Sequence, residues 1–218
     1  MSSAPELRAR ARKILAVLRR SRPGAKIELE FSNPLELLVA TILSAQCTDE
    51  RTNRVTRSLF ARYRTAADYA KARLSALERE IKPTGFYHNK AKALVALGQK
   101  LVADLGGEVP ATMEALVTLP GVARKTANVV LGSAFGKAEG VVVDTHVQRV
   151  SQRLGLTKRK QPEKIERDLM AVFLRQAWIE ASTQLVLHGR YICIARAPKC
   201  SICPVSKLCP KIGVSKSQ

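Results

Sequence analysis

A turn leads directly into a helix at Leu119-Pro120-Gly121-Val122-Ala123-Arg124-Lys125-Thr126-Ala127-Asn128, and the apolar pattern continues through Val130, Leu131 and Ala134. Glycine adopts positive φ values at little steric cost, so Gly121 lets a ligand approach the backbone closely. The first N–H groups of the following helix have no partner within it and attract anions. The stretch therefore predicts a phosphate-binding turn without sequence preference, although a Pro-Gly step before a helix is also common in plain loops.

Lys125 lies in the first turn of the predicted helix, and Asp144 follows it 19 positions later in Val143-Asp144-Thr145-His146. The helix dipole disfavours an ammonium group at this end, which favours a neutral and nucleophilic amine. Asp144 is predicted to cap the helix that begins near His146, and an ionised capping carboxylate can also stabilise a cationic sugar transition state. The plainer alternatives are a solvated lysine and a purely structural cap.

Helical patterns fill the chain on both sides of this region. At the N-terminus, an apolar stripe with a basic opposite face predicts a helix of the folded body, although the same Arg-rich segment could be an organelle-targeting sequence. Its apolar members are Leu7, Ala11, Ile14 and Leu18. Further helices are predicted from Pro34 to near Gln46 with Asn33 as cap, after Thr48 as the next cap, from Gly85 to Gly106, from Pro162 and across residues 177–190. Only Val141-Val142-Val143 resembles a strand, which leaves an all-α fold.

The charge balance indicates a polyanionic partner. The 218 residues include 37 Lys and Arg against 18 Asp and Glu, a formal net charge of +19 at pH 7. A small acidic substrate would not require so much charge, whereas a nucleic acid would. With 46% hydrophobic residues the chain is outside the disordered class. No apolar run approaches the roughly 18 residues of a membrane helix, so we expect a globular protein that binds no membrane.

Four of the five cysteines crowd into the last 26 residues, at Cys193, Cys200, Cys203 and Cys209. Four thiolates this close together can bind one metal centre in a reducing compartment, and they do not resemble a disulfide framework. Structural zinc usually takes closely spaced pairs or histidine, and this segment contains no histidine. The looser spacing and the Cys-Pro steps favour a 4Fe-4S cluster, with zinc or buried thiols as alternatives. Cys47, beside a helix end, is predicted to be a small apolar filler.

Arg190, Arg196 and Lys199 lie just before and within the cysteine segment. We expect these three side chains to contact phosphate groups, given the large positive charge of the whole chain. The alternative is that they only keep this end of the chain soluble.

From about residue 8 to about residue 212, the sequence resembles the endonuclease III branch of the helix-hairpin-helix DNA glycosylases. Six motifs carry the resemblance: Leu43-Ser44-Ala45-Gln46-Cys47-Thr48-Asp49, Gly85-Phe86-Tyr87, Leu119 to Leu131, Val143-Asp144-Thr145-His146, Leu187-His188-Gly189-Arg190 and the four-cysteine segment. The resemblance implies two helical domains with the active site in the cleft between them. One would be a helical barrel of residues 27–137 that contains the hairpin; the other would combine residues 1–26 and 138–218 with the 4Fe-4S cluster.

The resemblance also implies a base-excision-repair DNA glycosylase with AP lyase activity, which removes oxidised or ring-damaged pyrimidines from duplex DNA. Lys125 would attack C1′ of a flipped nucleotide and form a Schiff base, Asp144 would be its partner carboxylate, and β-elimination would cut the strand. Gln46 and Phe86 would enter the duplex. Further DNA contacts are implied at Tyr87, Gly121, Val122, Ala123, Arg124 and His146.

The sequence departs from the family pattern in two places. Ala123 stands where the hairpin often has glycine, but a helical alanine still presents its N–H to a phosphate. Phe86 and His88 replace the more familiar leucine and asparagine, which leaves the lesion range and the opposite-base preference open.

Two other functions fit parts of the sequence. A monofunctional adenine-specific or mismatch glycosylase would use an activated water on the same scaffold, but such relatives lack a lysine at position 125. A non-catalytic DNA-binding module with a structural or redox-sensing cluster would need neither Lys125 nor Asp144. Our leading expectation is a monomeric, cytoplasmic and nucleoid-associated enzyme that acts on double-stranded DNA with damaged bases or abasic sites.

Overall fold

The chain folds into helices, as a computed structural model that describes residues 3–218 shows. Within those residues there are eleven α-helices and no strand, so the all-α prediction is confirmed, and residues 141–143 have no regular secondary structure. The helices are α1 (Ala4–Ser21), α2 (Pro34–Leu43), α3 (Asp49–Arg62), α4 (Ala66–Ala70), α5 (Leu74–Ile81), α6 (Tyr87–Leu105), α7 (Met113–Leu116), α8 (Arg124–Phe135), α9 (Thr145–Arg153), α10 (Pro162–Val172) and α11 (Trp178–Tyr191). Among the described residues, no helix combines the length and apolarity needed to cross a bilayer.

Local capping signals set where several helices begin. The Asn33 side chain accepts a hydrogen bond from the Glu36 N–H at 2.9 Å, with Pro34 in the first turn of α2. The Thr48 hydroxyl accepts one from the Arg51 N–H at 3.3 Å and starts α3. Both predicted caps are confirmed, because a polar side chain satisfies an N–H group that has no partner inside the helix.

The chain divides into two compact units. One contains the chain up to Ile27 together with Ala138–Gln218, and the other is Glu28–Lys137. The domain division expected from the sequence differs from this one by a single residue, Ile27. Met1 and Ser2, which that division also includes, lie outside the described residues.

In the unit Glu28–Lys137, the helices surround a core of fully buried leucines that includes Leu38, Leu94 and Leu116. Helix α6 approaches α4 so closely that a Cβ on Gly98 would lie 2.5 Å from the backbone N of Ala70. Because there is no room for a side chain there, the glycine fixes the packing of α6. This long helix also contacts the turn at Gly121 through Ala93, and it begins directly after Phe86.

In the other unit, α1, α9, α10 and α11 bury a second apolar cluster, against which Cys193, Cys203 and Cys209 pack. Helices α9 and α11 meet at Gly189, where a Cβ would lie 2.8 Å from the Cβ of His146. The close approach places the start of α9 beside the end of α11, from which the cysteine segment continues.

Candidate active site and cysteine centre

The predicted phosphate-binding turn lies between α7 and α8. Gly121 has a φ of 77°, as predicted, and this conformation strains any residue with a side chain. A Cβ on Gly121 would also lie 3.2 Å from the Cβ of Ala93 and 3.6 Å from Cδ1 of Ile42. The positive φ and the close neighbours therefore both favour glycine, and the turn packs against α6 and α2.

Val122 anchors this turn. Its N–H donates to the Leu119 carbonyl at 3.1 Å, and its side chain is only 6% exposed. The Val122 N–H is therefore used within the turn, and its side chain belongs to the core. The DNA contact expected at Val122 stays a prediction, and the contacts proposed below use the neighbouring N–H groups of Gly121 and Ala123.

The first turn of α8 lacks a side-chain cap. Ala123 occupies the capping position in an extended conformation, and its side chain makes no capping hydrogen bond. Arg124 and Lys125 begin the helix, both are exposed, and no acidic residue lies in the first turn. This helix end therefore combines backbone N–H groups, the positive end of the dipole and two cationic side chains, a combination suited to an anion.

Asp144 caps α9, as predicted. Its Oδ1 accepts a hydrogen bond from the Val147 N–H at 2.8 Å, and the residue is half-buried. The hydrogen bond fixes the orientation of the carboxylate at the helix end. Lys125 belongs to the unit Glu28–Lys137, whereas Asp144 belongs to the other unit.

The two side chains expected to enter DNA share a backbone feature that the sequence did not reveal. Gln46 has a φ of 55° and is exposed, and Phe86 has a φ of 49° and is 62% exposed. Left-handed conformations of residues other than glycine cost about 1–3 kcal/mol and cluster at functional sites. Two exposed side chains are thus projected from strained positions, one shortly after α2 and the other immediately before α6.

Tyr87 and His88 support the same region. Tyr87 is half-buried, and its ring lies 4.1 Å from the ring of His88. Nδ1 of His88 lies 2.8 Å from Oε1 of Glu78. The unusual histidine at position 88 therefore has a partner on α5 within the protein.

The four C-terminal cysteines line one pocket, together with His188 and Val205 among others. All are free thiols. Burial raises the pKa of the Cys203 and Cys209 thiols, and electrostatic interaction with the other cysteines of the segment adds to the shift. Four convergent soft sulfur donors fit an iron-sulfur cluster.

Two arginines of α9, which the sequence analysis missed, hold the cysteine segment. Arg149 Nε donates to the Cys193 carbonyl at 3.0 Å, and Arg149 Nη2 donates to the Gly189 carbonyl at 2.8 Å. Arg153 Nη1 donates to the Ile194 carbonyl at 2.7 Å and lies 3.4 Å from the Cys193 sulfur. Burial lowers the pKa of Arg149. Their four-residue spacing in the sequence shows that they share one helix face, but not what that face contacts.

The remaining predicted residues occupy different environments. His146 is half-buried, and its Nδ1 lies 3.2 Å from Nη2 of Arg149, so it belongs to the arginine network. Arg196 is exposed, Arg190 is half-buried, and Lys199 lines the cysteine pocket. Cys47, predicted to be a small apolar filler beside a helix end, is half-buried and lies near the ammonium group of Lys90.

Comparison with protein families gives two matches. Residues 39–174 match the model of the HhH-GPD superfamily base excision DNA repair proteins. Residues 193–209 match the iron-sulfur binding domain of endonuclease III, and this range begins and ends at the first and last of the four cysteines.

Individual proteins agree with the family matches. Endonuclease III of Synechocystis sp. is 52% identical over 206 residues, which cover 94% of both chains. Endonuclease III of Escherichia coli is 40% identical over 202 residues, which cover 93% of this chain and 95% of the relative. A solved structure of a trapped endonuclease III–DNA covalent intermediate matches with a TM-score of 0.89 and 40% identity over 97% of each chain. The chain therefore belongs to the endonuclease III family within the HhH-GPD superfamily.

Proposed function

We propose that this protein is a base-excision-repair DNA glycosylase with AP lyase activity, and that Lys125 is its nucleophile. The observation that carries the proposal is the exposed amine of Lys125 in the first turn of a helix without a side-chain cap, directly after a glycine turn. A phosphate bound at that helix end places a deoxyribose within reach of the same turn. Membership of the endonuclease III family supports this assignment.

The reaction needs an amine and a path for the leaving base. The neutral Nζ of Lys125 attacks C1′, the bond from C1′ to the base breaks, and the base departs with the bonding electrons. Loss of a proton from nitrogen and opening of the sugar ring leave a Schiff base between Lys125 and C1′. Removal of a C2′ proton then expels the 3′ phosphate by β-elimination, and water releases the enzyme from the cut strand.

Asp144 stabilises the positive charge that develops on the sugar as the base leaves. A carboxylate fixed by its cap to Val147 is already oriented, so little reorganisation is needed during the reaction. In this assignment capping and catalysis are compatible roles of the same side chain.

DNA binding combines contacts to phosphate groups with side chains inserted into the duplex. We assign phosphate contacts to the N–H groups of the turn at Gly121 and Ala123 and to the cationic side chains of Arg124, Arg190, Arg196 and Lys199. Gln46 and Phe86 fill the space left by the flipped nucleotide, with Tyr87 behind them. Flipping costs a few kcal/mol, least for damaged bases that stack poorly. This cost supports damaged bases as substrates, and we assign oxidised or ring-damaged pyrimidines to this enzyme. We further propose that it acts as a monomer at the nucleoid.

Cys193, Cys200, Cys203 and Cys209 hold a 4Fe-4S cluster. When bound, the cluster supplies a rigid cross-link among four points of the C-terminal segment. Arg149 and Arg153 hold the backbone of the segment independently through its carbonyl groups.

Borohydride trapping tests the nucleophile. The wild-type protein should form a covalent complex with a duplex that contains an oxidised pyrimidine, because borohydride reduces the Schiff base to a stable amine. Lys125→Ala should form none while it still binds the duplex. Lys137→Ala is the matched control, since it removes the same charge just beyond the opposite end of α8. Equal trapping by Lys125→Ala and the wild type would refute the assignment.

A further inference from the structure

Lys90, in the first turns of α6, is a buried lysine that joins two separate segments of the chain. Its side chain is only 6% exposed overall. The ammonium nitrogen donates to the Leu43 carbonyl at 2.8 Å and to the Thr84 carbonyl at 2.8 Å. These partners are 47 and 6 residues away along the chain, so the contacts exist only in the folded protein.

Two carbonyl groups satisfy the buried ammonium group of Lys90. Lysine is almost never buried without a partner, because the charged group loses its hydration. Burial lowers the pKa of Lys90, and the nearby Cys47 opposes that shift. The two acceptors are carbonyl groups at the C-terminal ends of helices, where no helical N–H remains to pair with them. Leu43 ends α2, and Thr84 ends a 3-10 helix, Lys82–Thr84.

Both carbonyl groups lie just before the side chains assigned to DNA insertion. Gln46 is three residues after Leu43, and Phe86 is two residues after Thr84. We call residues 44–48 and 85–86 the insertion loops. One ammonium group therefore fixes the starting points of both insertion loops, each of which projects an exposed residue from a left-handed backbone.

We propose that Lys90 is a positioning residue that holds Gln46 and Phe86 at a fixed separation for entry into the duplex. The proposal rests on the proposed function. A wedge that is ordered before binding does not lose conformational entropy when it enters DNA, and this preorganisation supports unstacking of the target nucleotide. Lys90 is therefore needed most where a stacked base must be displaced, and least where the base is already missing.

Lys90→Met tests this division. Methionine keeps the length and apolar stem of the side chain but removes both hydrogen bonds. We expect single-turnover excision of an oxidised pyrimidine to fall at least about tenfold, a size typical of lost preorganisation. Borohydride trapping at a preformed abasic site should fall less than about threefold by the same reasoning. The fluorescence of 2-aminopurine placed opposite the lesion rises when this base unstacks. In Lys90→Met this rise should be smaller than in the wild type, in parallel with the loss of excision.

Two control variants separate positioning from charge and from stability. Lys92→Met removes the same charge from an exposed site on α6 and should leave all three measurements near wild type. Leu101→Ala opens a cavity at a fully buried site on α6, about 16 Å from Lys90 along the helix. It should lower the melting temperature and change excision and trapping in parallel. If Lys90→Met does not fold, Lys90→Gln, which keeps a donor, enters the same comparison.

The outcomes are distinguishable. If the variant at position 90 loses excision and trapping in the same proportion, as Leu101→Ala does, Lys90 is only structural and the inference is wrong. If the wild-type protein neither excises nor traps, the proposed function fails instead.

Discussion

The helices α8 and α9 begin in opposite ways. Helix α8 follows Ala123, whose side chain makes no capping hydrogen bond. Helix α9 follows Asp144, whose carboxylate is hydrogen-bonded to the Val147 N–H. Every helix start carries a partial positive charge that needs an anion or an acceptor. The protein supplies the anion itself at α9, whereas α8 begins without a capping side chain. Helices α5, α6, α10 and α11 also begin without one, so what distinguishes α8 is the glycine turn before it and the two cationic side chains at its start.

Asp144→Asn should have the largest effect, because it removes the charge at α9 but keeps a capping side chain. We expect excision to fall by about 10²–10³-fold, as for other lost electrostatic contacts to a transition state. DNA affinity and melting temperature should change little. Single-turnover excision, filter binding and thermal unfolding measure the three quantities.

Asp144→Ala is the companion variant, since it removes both the charge and the cap. It should lose excision to the same extent and in addition about 1 kcal/mol of stability. An Asp144→Asn variant that excises at the wild-type rate would reduce Asp144 to a cap.

Ala123→Asp should make the start of α8 resemble that of α9. The new carboxylate would cap the helix and occupy the position proposed for a phosphate, so we expect about 0.5–1 kcal/mol more stability. Affinity for undamaged duplex should fall about tenfold, and the dependence of log K on log salt should lose about 0.9 in slope, the share of one phosphate contact.

Ala123→Asn separates the charge from the cap at this position, because asparagine caps without adding charge. Ala123→Asn should give most of the stability gain expected for Ala123→Asp and a smaller loss of affinity for DNA. Unchanged affinity in Ala123→Asp would exclude phosphate binding at α8.

Gly121→Ala should weaken binding by about threefold and lower stability by about 1–2 kcal/mol, because φ is positive there and a Cβ would press on Ala93. Gly136→Ala is the control just after the C-terminal end of α8, where φ is also positive but the surrounding space is open. It should lose stability without losing affinity. Similar affinity losses in both variants would mean that the turn acts only through stability.

Ala123→Gly should have the smallest effect. Glycine restores the residue more familiar in the family hairpin and keeps the N–H, so affinity should change by less than about twofold. A larger gain in affinity would show that the Ala123 methyl group keeps the phosphate at a distance.

Features that depend on neighbouring residues were predictable from the sequence. The caps at Asn33, Thr48 and Asp144 are local, because each side chain bonds an N–H three residues later. The positive φ of Gly121 follows from its place in a Pro-Gly turn. The hydrogen bond from the Val122 N–H to the Leu119 carbonyl within the turn was not anticipated from the sequence.

Features that depend on distant residues were not predictable. Lys90 meets Leu43 across 47 residues, and Arg149 meets Cys193 across 44. No pattern in the sequence states such a pairing before the fold is known, since basic residues at these positions are equally compatible with a solvated surface. The left-handed conformation of Gln46 also has no sequence signal, because glutamine rarely adopts it.

The nine residues of α9 join two parts of the protein that have different chemistry. Asp144 stands at the start of this helix, while Arg149 and Arg153 hold the backbone of the cysteine segment farther along. One short helix therefore carries both the capping carboxylate and the arginines that hold the cysteine segment. A substitution that breaks the hydrogen bond from Arg149 to the Cys193 carbonyl would also loosen the backbone on which Asp144 stands.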